Sequence, residues 1–173
     1  ELPANHMLTV VGYYYQVRDL ISENGDNFEN LGHVNAQGLE AELSGNYAHG
    51  IQARLSYALQ GTEDQDMHAE LSNSPRHLVK GSLIVPLHED KIFAGVELQF
   101  TGRTLSNSRR PLDDYLVVNA TLFSQKLAHN LELSASVYNV FGTRYSHAVS
   151  AAHLQDSIEQ PGRSFRVKLT FLF

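Results

Sequence analysis

Apolar and polar residues alternate along much of the chain with a period of two, the spacing of a strand rather than of a helix. From Ser164 to Phe173, Phe165, Val167, Leu169, Phe171 and Phe173 are apolar, whereas Ser164, Arg166, Lys168 and Thr170 between them are polar; only Leu172 breaks the pattern. Leu131, Leu133, Ala135 and Val137 alternate in the same way with Glu132, Ser134 and Ser136. Leu39, Ala41, Leu43 and Tyr47 alternate with Glu40, Glu42, Ser44 and Asn46, and Ile51, Ala53, Leu55, Tyr57 and Leu59 with Gln52, Arg54, Ser56 and Gln60. Successive side chains of a strand point to opposite faces, so each segment predicts one apolar face and one wet face. His49-Gly50, between the last two segments, is a tight hairpin signal.

Extended along the chain, the pattern predicts about eight strands, at roughly 7–19, 34–48, 51–61, 76–87, 91–103, 114–124, 129–141 and 162–173. They are longer than the five or six residues typical of globular strands and match the roughly 9–11 residues that a tilted strand needs to cross a bilayer. Long connections at about 20–33, 62–75, 104–113 and 142–161 alternate with short ones at 49–50, 88–90 and 125–128. Long loops on one side and short turns on the other predict an all-β fold: an antiparallel, up-and-down transmembrane β-barrel segment. A soluble barrel or sandwich shares the alternation. Strand length, loop alternation and the aromatic C-terminus decide for the membrane. With the last strand ending on the periplasmic side, Tyr47, Phe123, Phe171 and Phe173 fall near one rim and Tyr14, Phe100, Tyr115 and Phe141 near the other, giving two aromatic belts.

Composition narrows the function. The 173 residues suit one domain, and 13 Lys+Arg against 19 Asp+Glu give a formal charge of −6, so no nucleic-acid partner is expected. The absence of cysteine excludes disulfides, thiolate nucleophiles and Cys-ligated metal. No apolar run approaches the ~20 residues of a transmembrane helix. The chain starts Glu1-Leu2-Pro3 without a signal-peptide pattern, which reads as a processed chain or a fragment.

Tyr138-Asn139-Val140-Phe141 followed by Tyr145, then Gln160-Pro161-Gly162-Arg163-Ser164-Phe165 leading to Phe173, resembles the C-terminal end of TonB-dependent outer-membrane receptors. Upstream, Asn35-Ala36-Gln37-Gly38-Leu39-Glu40 is similar to the family's Gly-x-Glu strand start, Leu55-Ser56-Tyr57-Ala58 to its following strand, and Ser74-Pro75-Arg76-His77 to the turn into the next. Tyr13-Tyr14-Tyr15 followed by Asp19-Leu20-Ile21 is similar to the strand before them. The resemblance implies the C-terminal third of a barrel of about twenty-two strands. It further implies an enclosed plug, energy relayed by TonB and a scarce cargo such as an iron–siderophore or cobalamin. No plug or TonB box is recognisable in the chain, so TonB and a small-molecule ligand are partners expected of a full-length parent. Outer-membrane lipid and the barrel-assembly machinery are partners expected of the segment itself. Gly162 with the apolar series Phe165, Val167, Leu169, Phe171 and Phe173 resembles the assembly signal that this machinery reads, through pairing at an exposed strand edge.

No GxSxG, HExxH or P-loop pattern is present, and neither enzymatic activity nor a cofactor is expected. Asp113-Asp114 are adjacent and would face opposite sides of a regular strand, so they read as solvated loop residues rather than a catalytic pair. Among nine histidines, His147 and His153 on one long loop are the best metal candidates, but exposed loop histidines are ordinarily just polar, and no metal site is assigned. Glu40, Glu42, Arg54, Lys80, Glu97, Glu132, Arg166 and Lys168 are expected to face the lumen, keeping a water-filled wall wet and pairing across strands. The alternative reading is a self-contained eight-stranded outer-membrane barrel with a structural or adhesive role.

Overall fold

The computed structural model describes residues 5–24, 27–88, 91–128, 130–150 and 153–171. Among these described residues thirteen strands are formed: β1 Asn5–Asn24, β2 Asn27–Asn46, β3 Gln52–Asp64, β4 Ala69–Glu70, β5 His77–His88, β6 Ile92–Thr101, β7 Thr104–Leu105, β8 Pro111–Leu112, β9 Tyr115–Ala128, β10 Leu131–Tyr138, β11 Ser146–Ala148, β12 Ser157–Glu159 and β13 Ser164–Phe171. One nine-stranded antiparallel sheet carries the fold, in the order β1-β2-β3-β5-β6-β9-β10-β13, with β4 paired only to β3. Every long strand therefore lies beside its neighbour in sequence, the up-and-down order that the alternating connections predict. Within this sheet β1 and β13 each pair on one side only, so it is open along two edges.

Register fixes which side chains share a face. One row runs His6, Gly45, Ala53, Leu83, Val96, Ala120, Val137, Phe165 across all eight strands. A second runs Leu8, Leu43, Leu55, Gly81, Leu98, Val118. The residues between them form polar rows, one of which is Ser44, Arg54, Ser82, Glu97, Asn119. The sheet is thus apolar on one side and polar on the other. Only Val34 and Ala36 are buried apolar residues among those described, whereas Leu8 (67% exposed), Leu55 (52%), Leu122 (51%) and Val167 (74%) lie open on the apolar face. In a soluble sandwich that face would be covered by a second sheet. Here it is an uncovered wall.

Several boundaries differ from those expected. The connection expected at 20–33 is strand for most of its length: β1 and β2 pair out to Asn24↔Asn27. Its polar residues had read as loop because pairing outlasts hydrophobic alternation, and backbone hydrogen bonds do not require it. At the other end β9 runs through the expected turn at 125–128, with a register shift between Leu131 and Leu133 absorbing the irregularity. There the Ser124 hydroxyl accepts from Leu133 N (3.1 Å) and donates to Leu133 O (3.3 Å), so its polar atom is satisfied on the apolar side. The expected loops 62–75, 104–113 and 142–161 contain the short strands β4, β7–β8 and β11–β12. His49-Gly50 does close a short turn, as part of a 3-10 segment Ala48–Gly50 in which both residues take positive φ (59° and 73°).

Gly38, in the Gly-x-Glu segment, has a visible reason. It pairs with Tyr13, and a Cβ built on it would lie 2.5 Å from the Tyr13 ring and hydroxyl and 2.8 Å from Leu59 O. The missing side chain is the seat on which the ring lies. Gly38→Ala should therefore destabilise the folded protein by about 1–3 kcal/mol, the usual cost of overpacking. In a double-mutant cycle read by denaturant unfolding, Tyr13→Ala should remove part of that cost. Equal effects of Gly38→Ala with and without Tyr13 would refute the seat.

Candidate functional site

Two regions concentrate polar groups: the charged band on the polar face, and the cluster where the long loops meet.

Register places Glu40 opposite Val11 and Ala58, Glu42 opposite Thr9 and Ser56, Lys80 opposite Ser56 and Gln99, and Glu97 opposite Ser82 and Asn119. Glu132, Arg166 and Lys168 pair with Thr170, Ser136 and Ser134. With Arg54, these eight charges lie on the polar side of the sheet. Arg54 Nε lies 3.5 Å from Glu42 Oε1, with both side chains exposed, a pair worth at most about 1 kcal/mol. The band is a wetting surface more than a staple.

The aromatic residues expected to form belts do not all share a face. Tyr14 and Phe100 lie on the apolar side, paired with Gln37 and with Val79 and Leu116. Tyr47 is exposed just past β2 with its ring 4.8 Å from His6, and Phe141 is exposed in the turn after β10. Tyr115 and Phe123 pair with Thr101 and Phe93, which puts them on the charged side, opposite Phe100. Depth along the strand had suggested the belt, but parity decides the face. Phe123 stacks on Phe93 at 5.1 Å instead. Tyr57, not expected as a belt residue, is on the apolar side and hydrogen-bonded through its hydroxyl to His77 Nδ1 (2.9 Å). Gly162 is exposed before β13. Phe165, Val167, Leu169 and Phe171 are all 60% exposed or more on the apolar face, and Phe173 lies outside the described residues.

The loops at the other end of the strands from the 48–50 turn hold one another. Arg76 grips Glu70 with two bonds, Nε to Oε1 at 2.9 Å and Nη2 to Oε2 at 3.3 Å, while Arg109 Nη2 donates to Glu70 O (3.1 Å). Ser72 Oγ donates to Asn107 Oδ1 (3.2 Å), and Asn73 N to Leu105 O (2.8 Å). Asp156 reaches across from the last loop: it accepts from Ser106 Oγ (2.6 Å) and Ser108 N (3.0 Å), and Ser106 is fully buried. Three separate loops are joined into one hydrogen-bonded unit.

Asn139 explains part of the Tyr-Asn-x-Phe segment. It has φ +52°, a conformation Asn tolerates better than most residues, and it is buried. Its amide donates to Thr143 O (2.8 Å) and its carbonyl accepts from Thr143 N (2.9 Å), closing the turn out of β10. Beyond it, Tyr145 stacks on Tyr115 at 4.2 Å and His147 Nε2 is 2.9 Å from the Tyr115 hydroxyl. His153 is exposed in the same loop, and Asp113 and Asp114 are exposed between β8 and β9. Among the described residues no three His, Asp or Glu side chains come together as a metal site.

A family model described as TonB dependent receptor-like, beta-barrel, matches residues 2–140. The chain belongs to that family. TonB-dependent receptors are transporters, not enzymes. No curated protein sequence matches this TonB-dependent receptor barrel chain. Among solved structures it is similar to the ferric-catecholate import receptor Fiu from E. coli K12 (TM-score 0.76, 20% identity), over 97% of this chain and 25% of that one. It is similar also to the ferripyoverdine receptor of the outer membrane of Pseudomonas aeruginosa (TM-score 0.76, 17% identity; 96% and 25%). A third is the ferric yersiniabactin uptake receptor FyuA from Yersinia pestis (TM-score 0.82, 15% identity; 96% and 27%). At these identities the likeness is one of fold, and the chain spans about a quarter of the length of the receptors it matches.

Asp156 supplies a pH test of the joined loops. Hydrogen bonds from Ser106 and Ser108, aided by the Arg110 charge, hold its carboxyl below the usual 3.8. A depressed folded-state value stabilises above the ordinary one, and the contribution disappears as pH falls through the depressed value. Protection of the Ser108 amide, corrected for intrinsic exchange, should be intact at neutral pH, lost well below 3.8, and lost at all pH values in Asp156→Ala. Protection indifferent to both changes would mean that Asp156 does not join the loops.

Proposed function

We propose that this chain is the C-terminal third of the β-barrel of an outer-membrane receptor for TonB-dependent uptake of a scarce solute such as an iron–siderophore or cobalamin. The observation that carries the reading is an uncovered apolar wall, continuous across eight antiparallel strands, on a chain of the TonB-dependent receptor barrel family. In this reading the apolar face meets outer-membrane lipid and the charged band lines the lumen, where water and the plug of the full-length parent lie. TonB would act through that plug. The open edges at β1 and β13 favour continuation into further strands over the self-contained eight-stranded alternative, since unpaired backbone groups in hydrocarbon cost several kcal/mol each. Uptake by cells expressing the full-length parent should require both TonB and an energised membrane. Uptake that persists without TonB would overturn the reading.

The faces and the assembly signal are tested together by outer-membrane abundance of three variants of the full-length parent. Leu133 and Ser134 are neighbours on opposite faces, so Leu133→Arg should cost about 2–4 kcal/mol if it sits near the midplane, and Ser134→Arg much less. Removal of Phe173 should lower abundance and leave degraded protein in the periplasm, because the series from Phe165 to Phe173 serves as the segment's recognition element for the barrel-assembly machinery. Equal abundance of the two Arg variants would refute the assignment of faces, and unchanged abundance without Phe173 would refute the signal.

A further inference from the structure

The apolar face changes character toward the long loops. Across β1, β2 and β3 its rows run Leu8, Leu43, Leu55, then Val10, Ala41, Tyr57, then Gly12, Leu39, Leu59. The next row is Tyr14, Gln37, Gly61, and the one after it is Gln16, Asn35, Glu63, continued into Glu70 of β4. Within two rows the wall passes from apolar to polar, and one aromatic ring, Tyr14, stands at the change. Rings with a polar tip take that position at a boundary between hydrocarbon and water.

A groove opens at this boundary, on the same side of the sheet. Gly61 leaves room in it: a Cβ built there would meet nothing nearer than Gln37 Cγ, at 4.0 Å. Tyr14 lines it with 61% of its surface open, and its hydroxyl accepts from Gln16 Nε2 at 2.9 Å, which steadies the ring. Asn35 lines it too, and its Oδ1 is buried with no hydrogen-bond partner among the described residues, a state that buried polar atoms rarely keep. The last torsion of Asn is soft, so a small turn would offer that oxygen to a hydroxyl in the groove. Of the charged groups there, Glu70 is held by Arg76, and Glu63 Oε1 lies 3.9 Å from His68 Nδ1. The groove therefore carries no excess of positive charge to draw a phosphate.

We propose that Tyr14, Asn35 and Gly61 form a seat for the sugar head of a glycolipid in the membrane leaflet on the long-loop side. A sugar presents C–H groups on the face of its ring, which stack on an open aromatic face, and hydroxyls at its rim, which bond to amides and carboxylates. An open tyrosine ring beside a few placed polar side chains meets both needs. The rows directly below supply the rest of the ligand's surface: Val10, Leu39, Tyr57 and Leu59 are exposed where the acyl chains of a lipid seated at Tyr14 would lie. A ring serving only as a boundary anchor needs neither the gap at Gly61 nor the unpaired Asn35 oxygen. The seat presupposes the lipid-facing reading of the apolar face and adds a partner to it.

The test uses purified full-length parent in a detergent without sugar, incubated with rough lipopolysaccharide in the presence of EDTA, with bound lipid counted by native mass spectrometry. Wild-type protein should retain the glycolipid, and should prefer it to phosphatidylethanolamine and to the oligosaccharide freed from its acyl chains. Gly61→Val fills the groove with a residue that suits a strand, and should lower occupancy at least several-fold. Tyr14→Ala should do the same, whereas Tyr14→Trp keeps an aromatic face and should retain the lipid. Heat-modifiable migration identifies the folded fraction of each variant, on which alone occupancy is read. Full occupancy in folded Gly61→Val overturns the seat. With wild-type protein alone, so does the absence of bound glycolipid, equal binding of phosphatidylethanolamine, or equal binding of the free oligosaccharide. Binding that requires magnesium would assign the contact to a phosphate bridged by the ion, and overturns the sugar seat as well. The lipid-facing reading fails separately, through equal abundance of Leu133→Arg and Ser134→Arg, and the uptake reading through transport that persists without TonB.

Discussion

Cross-strand register is the constraint on which the other features depend. Paired residues of antiparallel strands share a face, and a slip of one residue would move every side chain of a strand to the opposite side. Leu83, Val96, Ala120, Val137 and Phe165 stay in one row only because each successive pairing keeps the same parity. Arg54, Ser82, Glu97 and Asn119 stay in the next row for the same reason. A slip at any ladder would put a charged residue among Leu and Val, and that penalty would recur at every second position along the strand. Local devices such as the Gly38 seat for Tyr13 and the irregularity near Ser124 act within this register rather than setting it.

At the long-loop end the logic changes from repeated pairs to single contacts. Among the described residues these loops bury no apolar side chain, and polar residues join each loop to its neighbours. Glu70 binds Arg76 and offers its carbonyl to Arg109; Asp156 takes a hydroxyl and a backbone amide from the neighbouring loop. Such bonds are individually modest in water, but joined loops share the ordering cost that each would otherwise bear alone. The Tyr115 hydroxyl and His147 Nε2, 2.9 Å apart, add one more such contact between the start of β9 and the last loop.

Period-two alternation made the strands and the two faces legible, because the burial of one face is written into every second residue. Glu40, Glu42, Arg54, Lys80 and Glu97 lie on one face of the sheet because parity within a strand is fixed once the strand is recognised. Parity is lost when position is read from depth alone, which is why Tyr115 and Phe123 fell on the side opposite Phe100. The ends of strands were less legible: β1 and β2 go on pairing through Leu20 to Asn24 and Asn27 to Leu31, where regular alternation has lapsed. Asp156 and Ser106 were not legible at all, because residues fifty apart on different loops leave no local pattern. Asn139 was visible as part of a motif, although only its positive φ and its bonds to Thr143 show why Asn stands there.

The polar face also bears on the size of the closed structure in which such a sheet can sit. Rolled up on itself, an eight-stranded sheet has an interior just wide enough to be filled by side chains. Glu40, Glu42, Arg54, Lys80 and Glu97 would then face Glu132, Arg166 and Lys168 across that interior with little room for water. In the sheet as it stands, only Glu42 and Arg54 of these eight form an ion pair with each other, at 3.5 Å and in the open. Desolvating the others would cost several kcal/mol per ion unless each found a well-placed partner. A wider barrel avoids that cost, since its wall stays hydrated and long charged side chains need no partner. The density of charge on one face thus argues for a lumen broader than eight strands enclose, independently of the open edges at β1 and β13 and of the likeness to larger receptors.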